Sequence, residues 1–341
     1  MPPKSELPAV ATRENVTPKI FAEEILPLGR PILMRGLISS WPAVAHGRET
    51  PQAIADYIKA MDTGTPTTVL EAPPSVQGLF TYGADMHDFN FNKRSKSISA
   101  GIDQLLTLID RPTPSSVYIQ STPIPQYLPR FVGENPNPLL SPRVEPRIWI
   151  SNRTRAQTHN DNDHNIACVV AGTRRFTLFP PEQLANLYIG PQDHTPSGRA
   201  ISLASLETPD FERFPRLAEA LQHAEIADME PGDALYVPKY WWHHVQSLSA
   251  FNILVNYWWG GPGAGFENPV TTFMSALIAI KQLPPSERIY WQAMFEHYIF
   301  QVNGDPVAHI PREHQNALGP LTPQMRAEMA RALQQILAGR S

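Results

Sequence analysis

A single cysteine in 341 residues, Cys168, excludes any internal disulfide. It sits in the apolar run 166–171, which points to a buried thiol in a reducing compartment. No stretch approaches the ~20 apolar residues that a membrane-spanning helix needs. The opening Met-Pro-Pro-Lys-Ser-Glu-Leu-Pro has none of the apolar core of a signal peptide, so a cytoplasmic protein with no membrane partner is expected. Positive charge is also scarce. A net charge of −4 gives no general attraction to a phosphate backbone, and nucleic acid is not an expected partner. Phosphate-cradling glycine loops, Cys-x-x-Cys zinc pairs and a Gly-x-Ser-x-Gly nucleophile elbow are all missing.

Proline, in contrast, is abundant. Its 36 residues are about twice the usual ~5% share; because proline fixes φ and removes a donor, short strands joined by rigid turns are favoured over long helices. A hydrophobic content of 42% suits one catalytic domain with extensions, or two modest domains. Residues 1–17 read as a loose arm. Thr17-Pro18 then supplies an N-cap and a first-turn proline for a short helix carrying Ile20, Phe21 and Ile25. A strand over 31–36, a helix over 51–61 and a helix over 102–109 complete an N-terminal α/β layer, 1–117. The β signals fill 118–262, interrupted by a polar excursion between 188 and 226. From 263 to 341 the pattern turns helical. Val270, Phe273, Met274, Leu277 and Ile278 share a face, 289–302 is strongly aromatic, and Thr322-Pro323 caps a helix with Met325, Met329 and Leu333 in one stripe. Such stripes pack on the chain's own barrel or join two copies.

The most informative pattern is His159-Asn-Asp161 followed, 84 residues after His159, by His243 in Pro-Lys-Tyr-Trp-Trp-His-His. Ligands at i and i+2 of one strand point to the same face, and a third from a distant strand completes a triad of two imidazoles and one carboxylate. Three adjacent positions on a metal then stay open, as non-haem Fe(II) oxygenases require for a chelating co-substrate and dioxygen. His-x-Asp alone is a weak signal. Alternation from His159 puts Asp161, Asp163 and Asn165 on one face, so Asp163 competes as a ligand, while His164 has the other parity and reads as an outward polar residue. Parity does not choose between His243 and His244. Within 173–179, alternation gives Arg174, Phe176 and Leu178 one face and Arg175 and Thr177 the other, which turns Arg174 inward; the competing reading makes both arginines surface charges. Lys93, Arg94 and Lys96 read as a solvated polar loop, with guidance of an acidic substrate as the alternative.

Residues 159–181 combine His-Asn-Asp, the strand Gly-Thr-Arg-Arg-Phe and the corner Phe-Pro-Pro; Pro231-Gly232-Asp233 and Trp-Trp-His follow in that order. This arrangement resembles the JmjC-type, cupin-like 2-oxoglutarate oxygenases, most closely the branch containing the asparaginyl hydroxylase that inhibits hypoxia-inducible factor. The likeness runs from about Arg30 to Gly260. It implies a mainly β fold with α elements: a double-stranded β-helix (jelly-roll) core, an N-terminal α/β layer, and C-terminal helices through which two copies form a homodimer. It also implies Fe(II), 2-oxoglutarate as co-substrate and dioxygen, with hydroxylation of a C–H bond and succinate and carbon dioxide as co-products. Under the resemblance His159, Asp161 and His243 are the catalytic metal ligands, with His244 in a supporting or exposed role. Asn165 contacts the co-substrate, Arg174 and Tyr118 hold its distal carboxylate, and Asn256 belongs to the same pocket. Gln120 and Trp258 face the substrate, although Tyr118 also suits a core aromatic. Two positions depart from the pattern: relatives carry lysine where this chain has Arg174, and threonine where it has Ala156, with Thr154 and Thr158 nearby. A protein or peptide side chain is the expected substrate. A small molecule or amino acid is the alternative within the same mechanism, and a non-catalytic metal-binding cupin is the rival outside it.

Overall fold

Proline-punctuated short strands dominate the first of two units into which the chain divides, Met1–Gly261 and Pro262–Ser341. The computed structural model describes residues 7–262 and 268–338. The early strands are β1 (Thr12–Arg13), β2 (Ile32–Met34), β3 (Thr67–Ala72), β4 (Asn92–Lys96), β5 (Ser116–Pro123) and β6 (Pro146–Ser151). The later ones are β7 (Arg155–His159), β8 (His164–Ala171), β9 (Arg174–Phe179), β10 (Glu225–Met229), β11 (Ala234–Val237), β12 (Trp242–Ser247) and β13 (Asn252–Trp259). They form a nine-stranded sheet, β1-β2-β11-β8-β13-β6-β5-β3-β4, and a four-stranded sheet, β10-β9-β12-β7. From β6 to β9 and again from β11 to β13 the chain alternates between the two sheets. That alternation gives the jelly-roll core.

The side chains explain why two sheets close on one another. Along β8, Ile166, Cys168 and Val170 pack into one cluster with the helical layer, while Ala167 and Val169 pack into another with Phe176, Leu178, Ala227 and Met229 of the small sheet. β11 and β13 alternate in the same way, Tyr236 and Val255 outward, Leu235 and Leu254 inward. A strand buried on both faces has to read as a continuous apolar run, as 166–171 does. Burial pushes the Cys168 thiol well above its ordinary pKa, which keeps it an unreactive core residue. Helices Pro42–Glu49, Pro51–Lys59 and Ile98–Leu106 cover the outer face of the large sheet. Gly47 allows the first of them to come close, because a Cβ there would lie 2.1 Å from the carbonyl oxygen of Val170.

Three segments differ from the sequence expectations. Of the arm expected over 1–17, residues 1–6 lie outside the described residues, and the rest is not loose. The Val10 N–H donates to the Ile226 carbonyl at 2.8 Å, and Thr12 and Arg13 pair in parallel with Leu33 and Met34. The helix after Thr17 is only Pro18–Ile20 before it widens into a π turn, Phe21–Ile25, that buries Phe21 and Ile25. Lys93, Arg94 and Lys96 stand on β4 rather than in a loop. A sheet edge is where charged residues discourage unwanted pairing, so polarity there does not mean absence of structure.

The second unit holds helices Pro269–Ala279, Pro285–Tyr298 and Pro323–Leu337. Thr322 caps the last, its hydroxyl accepting from the Met325 N–H at 3.2 Å. The first two helices bury no residue. Residues 263–267, at the start of the expected helical extension, lie outside the described residues. Among the described residues no helix is long and apolar enough to cross a membrane.

Candidate metal centre

β7 ends on His159, and antiparallel pairing with β12 sets His243 directly opposite it, ring centroids 4.4 Å apart. A register shift between His243 and Val245 marks a bulge beside this pair, a common way of aiming side chains at a site. Asp161 arrives differently from the sequence expectation. β7 stops at His159 and the next strand, in the other sheet, starts only at His164, so Asp161, Asp163 and Asn165 do not share a strand face with His159. The connecting turn places the carboxylate, pinned by the Tyr240 N–H donating 2.8 Å to the Asp161 carbonyl. One ligand atom from each of His159, Asp161 and His243 lies within 4.8 Å of the others.

Backbone carbonyls fix which imidazole nitrogens face inward. His159 Nδ1 lies 2.7 Å from the Gln157 carbonyl and His243 Nδ1 lies 3.0 Å from that of Trp241. A carbonyl can only accept, so each Nδ1 carries the proton and each Nε2 offers a lone pair. Burial first, and the neighbouring His243 second, hold His159 down to about 4, so at neutral pH it needs to lose no proton to become a ligand. Asp161 Oδ2 lies 3.7 Å from His243 Nε2 and accepts from the Trp258 indole at 3.1 Å. Two imidazoles and one carboxylate suit a first-row divalent ion such as Fe(II).

The triad opens into a cavity of about 580 Å³, and Tyr118, Gln120, Asn165, Arg174, Asn256 and Trp258 also line it. Arg174 is 3% exposed, and its Nε and one terminal nitrogen have no partner among the described residues. A buried guanidinium left unpaired is costly, so the site is built for an acceptor; a carboxylate matches its fork. Burial lowers its pKa to about 10, opposed by Tyr118, and it stays cationic at neutral pH. Tyr118 is pushed up to about 12 by burial, against the pull of the Arg174 charge, and stays a protonated donor. Arg175 turns to the opposite side and grips Asp228 with Nε and a terminal nitrogen at 2.6 and 2.8 Å.

The amide chain in the cavity has one consistent orientation. The Trp149 indole can only donate, and it does so to Asn256 Oδ1 at 2.7 Å; Asn256 Nδ2 then donates to Asn165 Oδ1 at 3.2 Å. Among the described residues the Asn165 NH₂ has no hydrogen-bond partner, which leaves it for a ligand. Ala156 lines the cavity without a hydroxyl, and Thr158 is buried and does not line it. Thr154 and Ser247, 3.2 Å apart, supply hydroxyls on the lining instead.

Of the rival ligands, the two histidines are engaged elsewhere. His164 bonds the Tyr236 hydroxyl at 3.0 Å and packs against Trp259. His244 is buried, with Nε2 2.9 Å from Glu207 Oε1. Asp163 lies near Arg199, whose nearest nitrogen is 3.9 Å away. Arg199 and Trp149 are cavity residues that sequence patterns did not pick out. Trp149 was within reach, because alternation along Arg-Ile-Trp-Ile-Ser separates it from Ile148 and Ile150; Arg199 lies in an irregular segment with no period to read.

Comparison with known proteins agrees with this architecture. Lysine-specific demethylase JMJ31 of Arabidopsis thaliana is 26% identical over 285 residues, covering 76% of this chain and 51% of that protein. HSPB1-associated protein 1 of Homo sapiens is 33% identical over 116 residues, 33% of this chain and 23% of that protein. Jumonji C domain-containing protein 5 of Drosophila melanogaster is 32% identical over 117 residues, 34% of this chain and 28% of that protein. The chain thus spans about half the length of the first and less of the others. The family described as Cupin-like domain matches residues 18–264, which takes in every strand of both sheets except β1, the facing histidines and Asp161. The chain belongs to the cupin-like domain family, with JmjC-domain proteins among its relatives.

Proposed function

We propose that this protein is an Fe(II)- and 2-oxoglutarate-dependent dioxygenase that hydroxylates a C–H bond of a protein or peptide side chain, releasing succinate and carbon dioxide. The observation that carries this is the pairing, in one cavity, of a His-Asp-His donor set with a buried guanidinium that has nitrogens left to satisfy. His159, Asp161 and His243 hold the iron. Iron, 2-oxoglutarate and dioxygen together supply an oxidant able to take hydrogen from an unactivated C–H bond. Everything else falls to the chain. Arg174 and Tyr118 fix the distal carboxylate of the co-substrate, Asn165 and Asn256 steady its nearer end, and Leu70, Phe80, Phe91 and Trp149 line a largely apolar wall that excludes water. Gln120 and Trp258 meet the substrate; the metal ligands and these two residues all fall within 118–262, with Leu70, Phe80 and Phe91 contributed from before it. The lone buried thiol fits a cytoplasmic setting, and the kinship with the asparaginyl hydroxylase branch stays part of this proposal.

The cavity is in the usual size range of ~300–1,000 Å³ for a ligand site, and 2-oxoglutarate fills only part of it. The remaining room suits a side chain. It also favours a second reading, hydroxylation of a free amino acid or other small molecule. Demethylation would oxidise an N-methyl carbon by the same chemistry. Anaerobic titration of the protein with Fe(II), then 2-oxoglutarate, is expected to give a saturable visible charge-transfer band that is lost in His159→Ala. Iron binding without that band would move the assignment to a non-catalytic metal-binding cupin.

The helices of the second unit carry the proposal of a homodimer. In Pro269–Ala279, Phe273 is 52%, Met274 58% and Ile278 81% exposed, an apolar face that water does not favour. Light scattering is expected to give twice the chain mass, and Phe273→Asp with Ile278→Asp to give the single mass. A wild-type monomer at tens of micromolar would end the dimer proposal.

A further inference from the structure

Arg199 approaches the centre from the irregular stretch before Ser202. Its Nε lies 3.3 Å from Oδ1 of Asp161, whereas Oδ2 of the same carboxylate faces His243 and the Trp258 indole. The two oxygens therefore serve different partners. On its far side Arg199 is flanked by Asp163, which is itself backed so closely against Gly261 that a Cβ there would fall 2.1 Å from Asp163 Oδ1.

We propose that Arg199 is a positioning residue that keeps Asp161 a one-oxygen ligand. This rests on the metal assignment above and adds a condition to it. A carboxylate can give a metal one oxygen or two. A second oxygen from Asp161 would take a position that the chelating co-substrate needs. With the guanidinium on Oδ1, that second bond requires giving up a charge-assisted interaction, so Oδ2 alone is presented to the histidine pair. Without Arg199, Oδ1 is free to turn onto the metal, which is then held at least as tightly while the chelator meets a competitor. Metal affinity and co-substrate affinity part company, whereas a merely structural role would move both together.

Co(II) tests this without turnover, since its visible absorption responds to coordination number. The full chain is titrated anaerobically with Co(II), then with 2-oxoglutarate. Arg199→Leu is expected to bind Co(II) within about threefold of wild type or tighter, to change its Co(II) absorption before any 2-oxoglutarate is added, and to lose about tenfold or more in 2-oxoglutarate affinity, the scale of other outer-shell changes. Arg199→Lys, which keeps a donor for Oδ1, restores most of that affinity. Lys93→Gln removes a charge from the same cavity without touching Asp161, and its effect stays below about twofold, as for a screened exposed charge. Equal losses of 2-oxoglutarate affinity in Arg199→Leu and Lys93→Gln would reduce Arg199 to a general field effect. Unchanged Co(II) absorption in Arg199→Leu, or joint loss of Co(II) and 2-oxoglutarate binding, would also overturn the proposal. A wild-type chain that binds no Co(II) would instead bring down the metal assignment itself.

Discussion

Replacing His159 or Asp161 by alanine is expected to cut oxygen-dependent succinate formation from 2-oxoglutarate by on the order of 10³-fold or more, since losing ~4 kcal/mol of charge stabilisation at a metal costs about that factor. The fold should survive both changes. His159 is the last residue of β7, so the strand pairing around it is made by backbone groups that alanine keeps. Asp161→Ala is the harsher of the two, because the Trp258 indole and Arg199 lose a shared partner. That leaves a cost of about 1–3 kcal/mol for an unsatisfied group, below the stability of a typical domain. Succinate yield measured alongside thermal unfolding separates the two effects. Undiminished turnover by either folded variant would refute the triad.

The second large effect belongs to Arg174. Truncating one partner of a buried charge pair costs roughly 2–5 kcal/mol, so Arg174→Ala is expected to weaken 2-oxoglutarate binding by about 100-fold. Metal affinity should hardly move, because Arg174 enters from the start of β9 and is not one of the three ligand residues. Arg174→Lys keeps the charge but not the planar fork, and should fall between the two. Calorimetric titration of the metal-free protein with Mn(II), and then of the Mn(II)-loaded protein with 2-oxoglutarate, reads both affinities. Equal losses for metal and co-substrate would make Arg174 a structural residue.

How much of this could be read from the residues depended on whether a short period governed them. The jelly-roll core announced itself through β8, where an unbroken apolar run records burial on both faces, and through the ligand-bearing segments in their order. Parity also described Arg174 and Arg175, which do point to opposite sides of β9. Parity failed just past His159, where the strand ends and a turn takes over. Asp161 reaches the histidines because Tyr240 holds its backbone, a long-range bond that no local pattern encodes. Arg199 was illegible for the same reason. The edge strand β4 was misread because polarity signals both solvated loops and guarded edges, and the arm because β1 is two residues long.

That arm binds both halves of the jelly roll. Within a few residues it bonds to Ile226 in the four-stranded sheet and to Leu33 and Met34 in the nine-stranded one. Ile226 lies far along the chain, so the entropy of a long loop opposes this clasp until the strands it joins are in place. A segment held by a handful of backbone bonds and the buried side chain of Val10 opens more readily than the ladders it joins. Its release would let the sheets breathe apart while each ladder stays intact, so the rigidity of a cavity built between them depends in part on a strap remote from its chemistry.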